Sequence, residues 1–358
     1  MAADLQILTK GFVMDKGSAQ FRDGTKECIM KIDDIVHETD SYRAELCRQV
    51  QNDSGVDCVM LEKDIWVTYV LEKIFADQEL SRILRFKGGT SLSKAHHMIQ
   101  RFSEDVDLVL DWTPFLGIGD PNELRSKTKQ AKYNELMNTT AGSYVCGEFR
   151  HRLQSILGDV CKVELDPVES LNLHVTYPRC FSDSYITPDV KLEIGPLASW
   201  TPWERKPIES LVGEFEPQMD IEPFDVSVIK VERTFWEKIE ALHHEHYRPE
   251  TKKAPKRFSR HYYDIYRMFH SNVFDVARND LTLLAEIVDF TARFYPRSWA
   301  HFELCKPGSM LLMPSEHALP VMKADYAAMR TMIYGDYPSF DEILLTIKKL
   351  ESEINSCL

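Results

Sequence analysis

Asp105 and Asp107 stand one residue apart in the stretch FKGGTSLSKAHHMIQRFSEDVDLVL, Phe86 to Leu110. On an extended strand side chains alternate faces, so the two carboxylates point the same way while Val106 and Leu108 face the core. Carboxylates held close repel each other unless a cation lies between them. Oxygen ligands at this spacing suit Mg²⁺ or Mn²⁺, with substrate phosphates completing the shell. Upstream, Lys87, Gly88, Gly89, Thr90 and Ser91 read as a glycine turn opening a helix, with Thr90 or Ser91 as its N-cap. Such a turn offers backbone N–H groups and a positive dipole end to phosphate, and the two hydroxyls add donors. Together these features can hold a triphosphate against a metal. The spacing is not that of a GxxxxGK[ST] loop. An isolated Asp-x-Asp pair is common at turns and strand ends, so the reading needs support from elsewhere in the chain.

One such support is TPDVKLEIG, Thr187 to Gly195. On a strand, Val190, Leu192 and Ile194 share one face, and Lys191 and Glu193 share the other. Glu193 is then a candidate third carboxylate with Lys191 beside it. The plainer alternative is a half-buried edge strand carrying a cross-face ion pair, which contributes little.

Elements that would position these residues follow from apolar periodicity. A helix is expected over 61–80, a strand over 83–86, a helix from about 90 and a strand over 105–112. Two helices broken near Gly142 occupy 123–158. Strands follow at 161–166, 171–177 and 186–194, then a Pro/Trp-rich connection at 196–208 and a strand near 225–231. Beyond that the pattern is helical, at 232–246, 259–271, 280–294, 322–333 and 339–356. The expected class is α+β: a mixed sheet with flanking helices, followed by a mainly helical C-terminal domain. The expected division is an N-terminal helical extension at 1–60, the sheet-containing core at 61–215 and the helical part at 216–358.

Composition excludes several classes. A hydrophobic share of 44% with 28% charged residues is that of a soluble globular protein. No apolar run is long enough to span a membrane, and the N-terminal residues do not read as a secretory signal. The eight cysteines show no CxxC spacing, so they read as reduced cytosolic thiols. A net charge of −13 argues against non-specific coating of nucleic acid. It leaves room for a local basic groove. Arg248 to Arg260, RPETKKAPKRFSR, carries six Lys/Arg and one Glu, and RSKTKQAK at 125–132 is a weaker cluster. Either can equally be a solvated surface. His243 and His246 are i, i+3 neighbours without an HExxH motif, so they read as helix-end histidines, not metal ligands.

At this point the residues carry a resemblance. Lys87-Gly88-Gly89-Thr90 followed by Arg101, Ser103, Asp105 and Asp107 resembles the signature of the AbiEii-type toxin nucleotidyltransferases, in the DNA polymerase beta-like nucleotidyltransferase superfamily. LEKDIWVTYVL at 61–71 resembles that family's leading helix, and VKLEIG its Lys-x-acid strand. RTFWEKIEALHHE at 233–245 resembles its next helix, giving Thr234, Glu237 and Lys238. RHYYDIYRM at 260–268 resembles its His-x-x-Asp helix, giving His261 and Asp264. Glu193 stands where many relatives carry Asp.

The resemblance implies a nucleotidyltransferase-like fold and a cytoplasmic toxin paired with an antitoxin. It implies transfer of nucleotides from an NTP to an RNA acceptor, the 3′ end of tRNA in the best-understood relatives. Asp105, Asp107 and Glu193 are the implied metal ligands. Lys87, Gly88, Gly89, Thr90, Ser91, Lys191 and Lys238 are the nucleotide-binding candidates, and Asp264 is a site residue of unassigned role. Lys252, Lys253, Lys256 and Arg257 are the candidates for RNA contact. Two other classes share these features: a metal-dependent phosphodiesterase or nuclease, and a non-catalytic nucleotide-binding module.

Overall fold

The computed structural model describes residues 29–111, 117–121, 123–182 and 186–357. Residues 1–28 of the expected N-terminal extension, and Trp112 at the end of an expected strand, lie outside them.

Chain order begins with α1 (Ile32–His37), α2 (Asp40–Ser54), α3 (Cys58–Ala76), α4 (Gln78–Ile83), β1 (Leu84–Lys87), α5 (Gly88–Lys94) and β2 (Asp105–Leu110). Next come α6 (Lys127–Tyr144), α7 (Arg150–Leu157), β3 (Lys162–Leu165), β4 (Asn172–Thr176), β5 (Asp189–Gly195), β6 (Trp203–Ile208), α8 (Leu211–Phe215) and β7 (Phe224–Ile229). The remainder is helical: α9 (Val231–His246), α10 (Arg260–Phe269), α11 (Val273–Ala277), α12 (Leu281–Phe294), α13 (Leu319–Ala328) and α14 (Phe340–Asn355).

All seven strands form one mixed sheet in the order β3-β4-β5-β2-β1-β7-β6. β2 at its centre runs antiparallel to β1 and parallel to β5. Register then dictates the site. Asp107 lies opposite Lys87 on one side and Glu193 on the other, and Asp105 lies opposite Lys191. Residues paired across strands share a face, so these five side chains emerge on one side of the sheet. Val106, Leu108, Val190, Leu192 and Ile194 fill the core behind them.

α3 is buried on almost every side, as a helix at the centre of a core must be. Its charged run Glu62-Lys63-Asp64 is also buried, and each charge is satisfied by a different segment. Glu62 accepts from the backbone of Phe181 at 3.1 Å. Lys63 donates to Glu104 at 3.2 Å and to the Thr187 hydroxyl at 2.7 Å. Asp64 pairs with Lys94 at 2.7 Å and accepts from Leu211 N at 2.6 Å. Buried charges are tolerated when paired in this way. α3 thereby fixes the loops leading to β2, β5 and α8.

Three expectations are corrected. The 196–208 connection contains β6, whose WERKPI sequence alternates in exposure along the sheet edge; charged residues and Pro207 are what an edge strand carries. β7 pairs with β1, so the sheet runs to Ile229 and extends past residue 215. The 127–157 helix is not broken at Gly142. It continues through a π-bulge at Val145–Phe149, and Gly142 lets Ser170 approach, since a Cβ there would sit 2.6 Å from its Oγ.

Candidate active site

A cavity of about 230 Å³ opens between the sheet face and the helices that follow β7. From the sheet side it is lined by Lys87, Gly88, Gly89, Arg101, Ser103, Asp105, Asp107 and Glu193. α9 contributes Thr234, Glu237 and Lys238, and α10 contributes Arg260 and His261.

Both glycines are required by close approach. Gly88 has φ +78°, and a Cβ there would lie 1.9 Å from Asp107 Oδ2. At Gly89 a Cβ would lie 2.8 Å from Arg101 Nη2 and 2.9 Å from Ser103 Oγ. The turn is thus pressed against the strand carrying the carboxylates. Gly88→Ala should therefore lose transfer as severely as loss of Asp107 itself, with the overall fold retained by circular dichroism; full activity in that variant would show the turn can shift without cost.

Thr90 and Ser91 have a different job from the one expected. The helix starts at Gly88, with Lys87 as its N-cap, so both hydroxyls lie inside its first turn and are buried. Thr90 donates to the carbonyl of Asp105, and Ser91 to the carbonyl of Gly88 at 2.9 Å. Neither lines the cavity. Thr90 clamps the turn to β2, and Ser91 closes the turn on itself.

Burial dominates the electrostatics of the carboxylates. It pushes the Asp107 pKa up to about 6; Lys87 opposes the shift, Glu193 adds to it. Burial likewise raises Asp105, with Glu193 and Glu104 contributing. Glu193 is held by Lys191 at 2.5 Å. Lys87 pairs with Glu237 at 3.7 Å, and that charge raises its pKa. Among the described residues no three His, Cys, Asp or Glu side chains converge as a ready-made metal cluster. Asp105, Asp107 and Glu193 all line the cavity, and Glu193 is paired with Lys191, a partner it would have to exchange to ligate beside the two aspartates.

Lys238 is buried and its Nζ lies 2.9 Å from Asp264 Oδ2. Asp264 also receives a bidentate pair from Arg101, at 2.6 and 2.7 Å. Burial works against the Asp264 carboxylate, but Arg101 and Lys238 outweigh it and hold its pKa far below the usual range. Burial lowers the pKa of Lys238, with Asp264 opposing and Arg101 assisting. Asp264 therefore pairs with neither Arg260 nor Arg267, its neighbours on the same helix. It positions Lys238. His261 Nδ1 lies 3.4 Å from Lys238 Nζ, and burial and that lysine keep its imidazole neutral.

The basic segment divides. Lys252, Lys253 and Lys256 are exposed. Arg257 instead has φ +58°, pairs with buried Glu104, and its N–H donates to Asp325 at 2.7 Å. His243 and His246 meet the carbonyls of His301 and Met313 at 3.2 and 2.8 Å, which accounts for both as backbone caps. Arg260 also lines the cavity, and its place at the end of the basic run is the signal that the sequence offers for it.

A seven-stranded mixed sheet presenting an Asp-x-Asp strand beside a glycine turn, with a buried lysine facing them from a helical part, has the architecture of a nucleotidyltransferase. Residues 69–346 match the family described as nucleotidyl transferase AbiEii toxin, type IV toxin–antitoxin system. The chain belongs to this family: it is a nucleotidyltransferase toxin of a type IV toxin–antitoxin system. Among solved structures it is similar to the nucleotidyltransferase toxin MenT4 of Mycobacterium tuberculosis H37Rv, at 13% identity and a TM-score of 0.42, over 88% of this chain and 99% of that one. No curated protein matches. No helix among the described residues is long and apolar enough to cross a membrane.

Proposed function

We propose that this toxin acts in the cytoplasm, transferring nucleotides from an NTP to an RNA acceptor, the 3′ end of tRNA, with Mg²⁺ or Mn²⁺ at Asp105 and Asp107. The observation that carries the reading is the row Lys87–Asp107–Glu193 across three strands, abutted by Gly88 and faced by Lys238. The residues fit a divalent ion. Two half-buried carboxylates share one face, and desolvation, which Lys87 only partly offsets, raises the Asp107 pKa to about 6. Asp105 and Asp107 would hold the ion, which would supply charge neutralisation for phosphoryl transfer.

The chain's own groups supply the positioning. The turn at Gly88 and Gly89 brings backbone against the phosphates. Lys238 reaches them from the opposite wall, as a point charge suited to phosphate. Thr234 Oγ1 is buried without a hydrogen-bond partner and lines the same cavity. A buried hydroxyl left unpaired is costly, so a ligand oxygen is its natural partner. Lys191 and Glu193 sit at the neighbouring register, where Lys191 can release Glu193 toward the acceptor hydroxyl. Holding reactants in line accounts for most of the catalysis available to a site of this kind.

The test is incubation with each of four α-labelled NTPs, a divalent ion and tRNA. The expected result is label incorporated at the RNA 3′ end, abolished by Asp105→Ala. Shortened RNA without incorporation would instead identify a hydrolase, and binding without either product a non-catalytic module.

A further inference from the structure

Trp299 gathers three cations. Arg248 Cζ lies 4.8 Å from the centre of its ring, Lys252 Nζ 5.5 Å and Arg297 Cζ 5.8 Å. The indole is half-buried, so part of it stays open. Among the described residues only Arg248 of the three has an ion-pair partner, Glu245 at 2.7 Å. Lys252 and Arg297 are exposed and make no ion pair among the described residues. Glu245 is the carboxylate that offsets Arg248 and acts with Arg297, so three cations around one ring share one counter-charge and a polyanion relieves the remaining repulsion. In a chain of net charge −13 such a cluster is complementary to phosphates in particular. Aromatic rings interleaved with cations are the means by which single strands are held, bases on the rings and phosphates on the charges.

Continuity with the cavity points the same way. The segment Tyr295-Pro296-Arg297-Ser298-Trp299 starts at a tyrosine 46% exposed. Its phenol lies near enough to Lys87 and Glu237 for their charges to act on it. Four residues span at most ~14 Å. From Lys238 the helix α9 runs eight residues to His246, ~12 Å, toward Arg248. These chain lengths bound the distances from Tyr295 to Trp299 and from Lys238 toward Arg248 to the reach of a short strand.

We propose that Trp299, with Arg248, Lys252 and Arg297, is the stacking subsite for the single-stranded end of the acceptor RNA. This rests on the reading that the acceptor is RNA. A base stacks on the indole, and the flanking phosphates take the cations that now crowd it.

The test is anisotropy of a labelled single-stranded oligoadenylate and of a blunt RNA duplex, with full-length variants checked by circular dichroism. Trp299→Ala should weaken the single strand about tenfold or more and leave the blunt duplex unchanged, and Trp299→Phe should recover most of the loss. The salt slope should persist in Trp299→Ala and flatten by about 1.4 in the pair Lys252→Ala with Arg297→Ala, about 0.7 for each phosphate contact on a single strand. Wild-type affinity in Trp299→Ala, or equal loss on the duplex, overturns the stacking subsite alone. A wild-type protein that binds no RNA at low salt, yet transfers nucleotides elsewhere, overturns the RNA reading and the subsite together.

Discussion

Asp107→Asn should abolish nucleotidyl transfer and at the same time raise the melting temperature. The two effects have one cause. The carboxylate sits half-buried beside Glu193, and desolvation raises its pKa from 3.8 to about 6. A raised carboxylate pKa means the fold prefers the protonated form. Below about pH 4 the group is neutral in folded and unfolded chains alike and has no effect. Between about 4 and 6 the unfolded chain ionises first, so stability falls as pH rises; above about 6 the loss is complete. Its size is on the order of 2–3 kcal/mol. Asparagine keeps the shape and removes the charge, so it recovers that loss at pH 8, a rise of several degrees in melting temperature. Transfer should fall by on the order of 10³-fold or more, since one of the two carboxylates that would hold the divalent ion is gone.

The same proton makes ion binding depend on pH. Mn²⁺ must displace it, so affinity measured calorimetrically without nucleotide should rise from pH 5 to about 6 and then level. Asp107→Asn should flatten that profile as well as weaken it. A variant that melts lower than wild type at pH 8, or wild-type Mn²⁺ affinity independent of pH, would show that Asp107 is not strained in this way.

How much of this was legible in the sequence depended on whether the signal was local. Alternation fixed the faces of β2 and β5, so Asp105, Asp107, Lys191 and Glu193 were placed on one face before any pairing was known. Their register, Asp107 beside Glu193, needed the sheet. β6 was hidden because an edge strand with WERKPI carries no buried stripe to count. A hydroxyl after glycines looks like a cap, but the helix begins at Gly88, three residues earlier than a Thr90 cap allows, which turns Thr90 and Ser91 inward. Charge density alone could not separate Arg257 from its lysine neighbours, since its partner Glu104 is 153 residues away. The partner of Asp264 was equally out of reach, because Arg101 lies 163 residues earlier.

That last pair yields the other large effect. Asp264→Ala should destabilise the protein by about 3–5 kcal/mol, because it leaves two buried cations, Arg101 and Lys238, without their shared counter-charge. The loss belongs to the stranded charges and not to a reaction step. The double variant Arg101→Met with Asp264→Leu should therefore melt higher than the sum of the single variants allows, a coupling that a double-mutant cycle reads directly. Activity should respond through Lys238. Its pKa is lowered by burial, and Asp264 is the carboxylate that opposes this. With Asp264→Asn the ammonium should lose its proton at a lower pH, so the alkaline limb of transfer moves toward neutrality and the KM for NTP rises more than kcat falls. Those two readouts separate a positioning carboxylate from one acting on substrate. If Asp264→Asn leaves KM and the alkaline limb in place while kcat collapses, Asp264 acts on the reacting atoms and the clamp on Lys238 is incidental.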